Sequence, residues 1–339
     1  MPWLGIYGHD VQCDALLRAW QADRLGHSYL FVGPEGVGKK RFALALAQAI
    51  SCESASVSIK NPEPCGTCTA CVQIKAGTYP DLHLAGLPED KQEFPTELMK
   101  ELIQSLGVKP QRAGARRIAI IDDADAFNSE SANRFLKTLE EPPPDSLLIL
   151  IGTAAERQLD TIRSRCQLIR FQPLGLEDFT QAAVNAGIVA HAAEAQKLFP
   201  LAHGSLSKAE LLKDEELQKI TLEIAKALQQ PKFAGVAFGT LLVKFAEGVK
   251  DSPQKRQRAR FAVEFIVQLL QAALLHAEHG QAQSTEHQAA VQRLASLPSM
   301  GTLPALIEAC LEAEHHIDRR FQLALLLEAF AERLGRELR

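Results

Sequence analysis

Ser28-Tyr-Leu-Phe-Val-Gly33-Pro-Glu-Gly-Val-Gly-Lys-Lys40 opens as an apolar run, breaks into glycines and closes on two lysines, with a helical pattern over residues 41–50 directly behind it. An apolar run bounded by turn residues reads as a strand buried on both faces, and the segment that follows reads as its crossover helix. Gly33, Gly36 and Gly38 let backbone N–H groups wrap a phosphate at the helix N-terminus, where the dipole also favours an anion. Lys39 stands where such a loop places the lysine that reaches the outer phosphates. The eighth position is Lys40, where the motif wants Ser or Thr. A hydroxyl there ligates Mg²⁺; an ammonium has no lone pair to offer and repels the cation. The loop either binds nucleotide without a properly held metal or is a relic.

Working outward, residues 117–123 form a second hydrophobic run that ends in Asp122 and Asp123. Asp122 is placed to hold Mg²⁺ through water. Asp123 stands where ATPases put a Glu that orients the attacking water, and Asp is one methylene shorter, a misplacement that costs on the order of 10²-fold. Residues 147–151 and 168–171 also read as strands buried on both faces, and strands alternating with helical patterns imply a parallel α/β sheet. Three regions follow: an α/β domain over 1–173 with a cysteine-rich module at 52–71, a small helical domain over 174–214 broken at His203-Gly204-Ser205, and a helical domain over 215–339. In the last, residues 261–279 and 306–338 carry apolar side chains at three- and four-residue steps, punctuated at Pro253 and 296–304.

At 339 residues the chain is long enough for two or three domains with real cores, and 46% hydrophobic with 23% charged residues is the usual globular balance. A formal charge of −4 argues against nucleic-acid binding through bulk charge, so any DNA contact is local or shared with partners. The start of the chain lacks the basic flank of a secretory signal, and the apolar runs are shorter than a membrane span, which points to a cytoplasmic protein without a membrane role. No nucleophile elbow, HExxH or paired-carboxylate motif is found.

Cys65-Gly-Thr-Cys68-Thr-Ala-Cys71 lies downstream of Cys52, and an intracellular setting makes these thiols or metal ligands. Two successive C-x-x-C steps bring three sulfurs around one point, and Cys52 closes the tetrahedron. Four thiolates with no open position make a structural Zn²⁺ site. His83 is the alternative ligand, set against an ordinary side chain at the start of the next strand. Cys13, Cys166 and Cys310 read as small buried hydrophobes.

Further strings carry a family resemblance. Ile6-Tyr-Gly-His9, Gly26-His-Ser-Tyr-Leu-Phe31, Asn133-Arg-Phe-Leu-Lys-Thr-Leu-Glu-Glu-Pro142, Ser164-Arg-Cys166 and Ile317-Asp-Arg-Arg-Phe-Gln322 resemble, in order, the base loop, the strand before the phosphate loop, the core helix, the "SRC" box and the collar of bacterial clamp-loader AAA+ subunits, most closely the delta-prime kind. The likeness is weak from about residue 174 to residue 311. It implies an AAA+ module carrying a zinc module, then a helical lid and a helical collar that joins subunits in a ring. It also implies Thr153 in the sensor-1 role and Ser207 in place of the sensor-2 arginine. Arg165 is then an arginine finger that points into a neighbour's ATP site, where its planar cation stabilises charge spreading on the γ-phosphate. The expected partners are gamma/tau and delta subunits, the sliding clamp and primer–template DNA, within the DNA polymerase III holoenzyme. Lys40, Asp123 and Ser207 favour a member that does not hydrolyse ATP. The competing readings are a gamma/tau-like ATPase and a stand-alone zinc-containing DNA-binding protein.

Overall fold

The computed structural model describes residues 5–54, 63–88, 91, 93–111, 115–249, 252–279, 287–297, 299, 301–318 and 322–338. Residues 1–4 of the apolar start, 55–62 inside the cysteine module, 298 and 300 in the 296–304 break and 319–321 of the collar motif lie outside these. The chain divides into two compact units between Ala209 and Glu210.

In the first unit the order is α1 Asp10–Gln21, β1 Ser28–Val32, α2 Lys39–Ser51, α3 Thr69–Lys75, β2 Leu82–Ala85, α4 Thr96–Leu106, β3 Arg117–Ile121, α5 Ser129–Glu140, β4 Ser146–Gly152, α6 Asp160–Arg163, β5 Gln167–Arg170, α7 Leu176–Asn185, α8 Ala192–Ala202 and α9 Leu206–Leu211, the last running across the division. All the strand pairings are parallel, in the order β2-β3-β4-β1-β5. This is a five-stranded parallel α/β core.

The period-2 pleat explains why the strands read as continuous apolar runs. Tyr29, Phe31, Ile118, Ile120, Leu147 and Ile149 pack with Leu16 and Leu17 of α1 and Phe42 and Leu46 of α2. Their neighbours Leu30, Val32, Ala119, Ile121, Leu148 and Leu150 pack on the other face with Met99 and Leu102 of α4 and Phe135 and Leu139 of α5. β1, β3 and β4 are buried throughout. The run at 168–171 departs from expectation: β5 is an edge strand with an exposed–intermediate–intermediate–exposed pattern, because only β1 flanks it. The break at His203-Gly204 is a reversal in the left-handed region, with φ of 47° and 73°.

The second unit is helical: α10 Glu215–Gln229, α11 Gly235–Glu247, α12 Ser252–His279, α13 Gln288–Ala295, α14 Thr302–Asp318 and α15 Leu323–Glu337. The pattern expected from residue 261 begins earlier, since residue 253 falls in the first turn of α12, a position that proline tolerates. Within α12, Gln254–Glu278 is long and apolar enough, by length and composition only, to cross a membrane. Its buried residues, among them Val263, Ile266, Leu270 and Ala273, lie in a helix packed against α11, α13 and α14, as in the central helix of a bundle.

Gly204 tests how tightly the reversal is built. A Cβ there would lie 2.4 Å from the Leu174 carbonyl oxygen, whereas one at Gly187 (φ +69°) would meet nothing within 4 Å. Gly204→Ala should cost well over ~1 kcal/mol and Gly187→Ala about that strain alone. Thermal denaturation of the two variants measures the difference, and equal losses would show that the contact with Leu174 is not what demands glycine.

Candidate functional site

The C-terminal ends of β1, β3 and β4 converge at one edge of the sheet and bring the expected nucleotide residues together. Gly33 N–H donates to Thr153 O at 3.1 Å, joining the loop after β1 to the end of β4. A Cβ at Gly33 would fall 2.3 Å from Phe171 O, so only glycine lets the loop pass there. Gly36 and Gly38 have φ of 74° and 101°, and Gly38 is the N-cap of α2. His9 lies beneath, with Nε2 2.8 Å from Val37 O and its ring edge-on to Phe171. Burial above all pulls its pKa down, so the ring is held neutral. The loop resembling a base-binding segment therefore packs directly on the phosphate loop.

The lysines do not behave as in a metal-dependent site. Lys39 is buried, and its Nζ donates to the carbonyls of Gly33 and Pro34, both at 2.6 Å. Two of its three protons are thus spent on the loop itself. Burial lowers its pKa, against the pull of Glu35 and Asp122. Lys40 Nζ pairs with Asp122 Oδ2 at 3.2 Å. The carboxylate expected to hold Mg²⁺ already faces a cation of the chain, and the residues present do not fit a magnesium ion. Asp123 is left-handed, with φ of 56°, and its pKa is raised by burial and then by Asp122.

Thr153 reaches the same edge, but its hydroxyl is tied down. It donates to Asp125 Oδ2, which also accepts the Thr153 backbone N–H at 2.7 Å, while Gln158 Nε2 bonds Oδ1. Nothing in the sequence marks Asp125, because an acid four residues past a strand end carries no pattern of its own. The segment after the reversal at His203-Gly204 reaches the loop: Leu206 N–H donates to Gly36 O at 2.9 Å, and a Cβ at Gly36 would lie 2.8 Å from Ser207 Cβ. Ser207 therefore stands against the glycine loop.

Arg165 is elsewhere. It lies two residues before β5, whose Gln167 pairs with Tyr29 and whose Arg170 pairs with Val32. The sheet separates it from Gly33 by the length of β1, on the order of 16 Å at ~3.3 Å per residue. Its carbonyl accepts from Ser28 Oγ at 2.6 Å, fixing it at the opposite edge.

The Sγ atoms of Cys52, Cys65, Cys68 and Cys71 lie within 4.8 Å of one another. A tetrahedron with Zn–S of ~2.3 Å has S···S edges of ~3.8 Å. Cys52 stands 3.7 Å from Cys65 and 4.0 Å from Cys68, so the cluster fits zinc. Backbone N–H groups of Cys65, Cys68 and Cys71 donate to the preceding sulfurs at 3.3–3.5 Å, as thiolates require. The Cys65 thiol is lowered to about 6, chiefly by the backbone N–H of Thr67. His83 is not a ligand. It sits on β2 with Nε2 3.1 Å from Arg117 Nη1, in a group where Arg117 also bonds Ser105 O and Lys109 O and pairs with buried Asp81. Cys13 and Cys310 are buried, with thiols pushed by burial to about 12. Cys166 is only partly buried, and burial raises it to about 11.

Residues 8–175 match the family described as DNA polymerase III, delta subunit. The delta' subunit of DNA polymerase III from Bacillus subtilis is 33% identical over 214 residues, covering 62% of this chain and 61% of that protein. The delta' subunit from Pseudomonas aeruginosa is 34% identical over 140 residues, 41% of each chain. The tau subunit from Escherichia coli is 31% identical over 217 residues, 62% of this chain and 32% of that protein. The matched stretch thus spans less than two thirds of each of these relatives.

The four sulfurs generate a direct test. Protein purified without chelator should contain about one zinc per chain, and strong chelation should lower its melting temperature, because structural zinc contributes folding energy. Cys68→Ser should lose the metal, while Cys310→Ser should keep it. Elemental analysis and thermal melting read both, and a metal-free chain with an unchanged melt would defeat the assignment.

Proposed function

We propose that this chain is a delta'-like clamp-loader subunit of DNA polymerase III, a ring member that hydrolyses no ATP itself and lends Arg165 to a neighbour's ATP site; the family match over residues 8–175 and the delta' relatives support the reading. The observation that carries the reading is the position of Arg165 at the sheet edge opposite the chain's own phosphate loop. A side chain there has no route to the nucleotide of its own subunit, but it is free to face the nucleotide edge of the next. A planar cation placed on a γ-phosphate stabilises the charge that spreads over its oxygens.

The local site supports the other half of the reading. Lys40 pairs with the carboxylate a metal would need, Lys39 bonds its own loop, and Ser207 stands against Gly36 without a charge. In this reading residues 1–173 are the AAA+ core with a zinc-stabilised module, 174–214 the lid and 215–339 the collar. Gamma/tau and delta subunits, the sliding clamp and primer–template DNA are the partners, within the intracellular replication machinery.

Two measurements test this. The isolated chain should show no Mg²⁺-dependent ATP turnover. Ordinary ATPase rates abolished by Lys39→Ala would instead make it a gamma-like enzyme. In a ring reconstituted with its neighbours, Arg165→Lys keeps the charge but loses the planar fork, and should slow DNA- and clamp-stimulated hydrolysis while leaving assembly intact. Fingers of this type are worth ~10³–10⁵ at a single site, diluted in the bulk rate by the other sites of the ring. Full stimulated activity with Arg165→Ala would return the residue to an ordinary surface charge.

A further inference from the structure

Arg165 is held from both ends. Its carbonyl accepts from Ser28 Oγ at the start of β1, and its guanidinium meets three groups of its own chain. Nη1 donates to Thr161 O at 2.9 Å and Ser164 Oγ at 3.3 Å, and Nη2 pairs with Glu140 Oε1 at 2.5 Å. These contacts use three of the five N–H donors of the fork, and leave Nε–H and one Nη2–H for an incoming oxyanion.

Glu140 is the last residue of α5, a helix fixed to the sheet by Ala132, Phe135 and Leu139, all fully or nearly fully buried. Its carboxylate is therefore presented from a rigid element, the setting in which a side chain orients a partner reproducibly. Both members of the pair are partly exposed, and such pairs add little to folding stability. Orientation is the property this pair does supply.

We propose that Glu140 is the positioning residue for Arg165: it holds the guanidinium in the one direction that lets the remaining donors meet a neighbour's phosphate. The proposal rests on the finger reading above. A carboxylate beside a finger also competes with the phosphate for its charge. Because two donors stay uncommitted while Glu140 is engaged, the arginine need not leave Glu140 to act, and orientation outweighs competition.

The experiment uses full-length Glu140→Ala, Glu140→Gln and Arg165→Ala chains in the reconstituted ring, with kcat and KM for ATP measured under DNA and clamp stimulation. Arg165→Ala sets the floor for the site that this chain serves. Glu140→Ala should lower kcat at that site by about tenfold, within the range a sub-ångström misplacement produces. KM should stay unchanged, because the finger acts on charge that develops in the transition state. Glu140→Gln keeps an oxygen at the same reach and should recover most of the rate. Melting and assembly should match the unsubstituted chain for all three. A Glu140→Ala ring as fast as or faster than the unsubstituted one, with Arg165→Ala slow, would overturn the positioning role and leave the finger standing. A Glu140→Gln ring as slow as Glu140→Ala would overturn it too, since acceptor geometry would not be the cause. Full activity with Arg165→Ala would remove the finger and this role with it.

Discussion

A parallel strand covered on both faces has no solvent side on which to display chemistry, so whatever it does must leave from its two ends. β1, β3 and β4 are buried along their whole length. Their C-terminal ends therefore collect Gly33, Asp122 and Thr153 at one edge, while the segment entering β5 puts Arg165 at the other. The same burial that stabilises the sheet keeps those two sets apart by a strand's length. A phosphate group cannot touch both within one chain.

What could be seen in the sequence follows from how local each feature is. The loop at 33–40 and the apolar runs of β1, β3 and β4 are contiguous, and their periodicity or glycine spacing states the structure directly. The C-x-x-C steps are equally local, and Cys52 joins them because α2 ends immediately before it. Burial on both faces was wrongly extended to β5, because an apolar run does not reveal how many neighbours a strand will have. His83 looked like a spare ligand until β2 placed it beside Arg117. The pairs Lys40–Asp122, Thr153–Asp125 and Arg165–Glu140 join residues 25 or more positions apart, and no sequence spacing encodes them.

Lys40 shows why a missing ligand and a misplaced charge are different defects. A small neutral residue at that position would leave Asp122 available, and a cation from solution could still bind beside it. The ammonium instead sits 3.2 Å from the carboxylate and satisfies its charge internally. The pair is too exposed to add much stability, so its consequence is electrostatic exclusion more than folding energy. Lys39, bonded to Gly33 and Pro34, compounds this, since a phosphate would have to displace contacts that the loop already makes.

The loop whose lysines are already engaged still sits in a rigid frame. α2 starts at Lys39, ends at Ser51, and passes directly into Cys52, so a metal in the four-sulfur cluster would fasten the far end of the helix that carries the loop. Gln48 reaches from that helix toward the Cys71 carbonyl, 3.4 Å away. In the proposed reading that frame serves the other edge of the sheet. A transition-state contact loses about 10²-fold when it is misplaced by ~1 Å. Arg165 takes its position from β1 through Ser28 and from α5 through Glu140, and both of these are packed into the same two-faced core as α2. A stiff core would therefore be as necessary for the proposed action on a neighbour's nucleotide as for hydrolysing the chain's own.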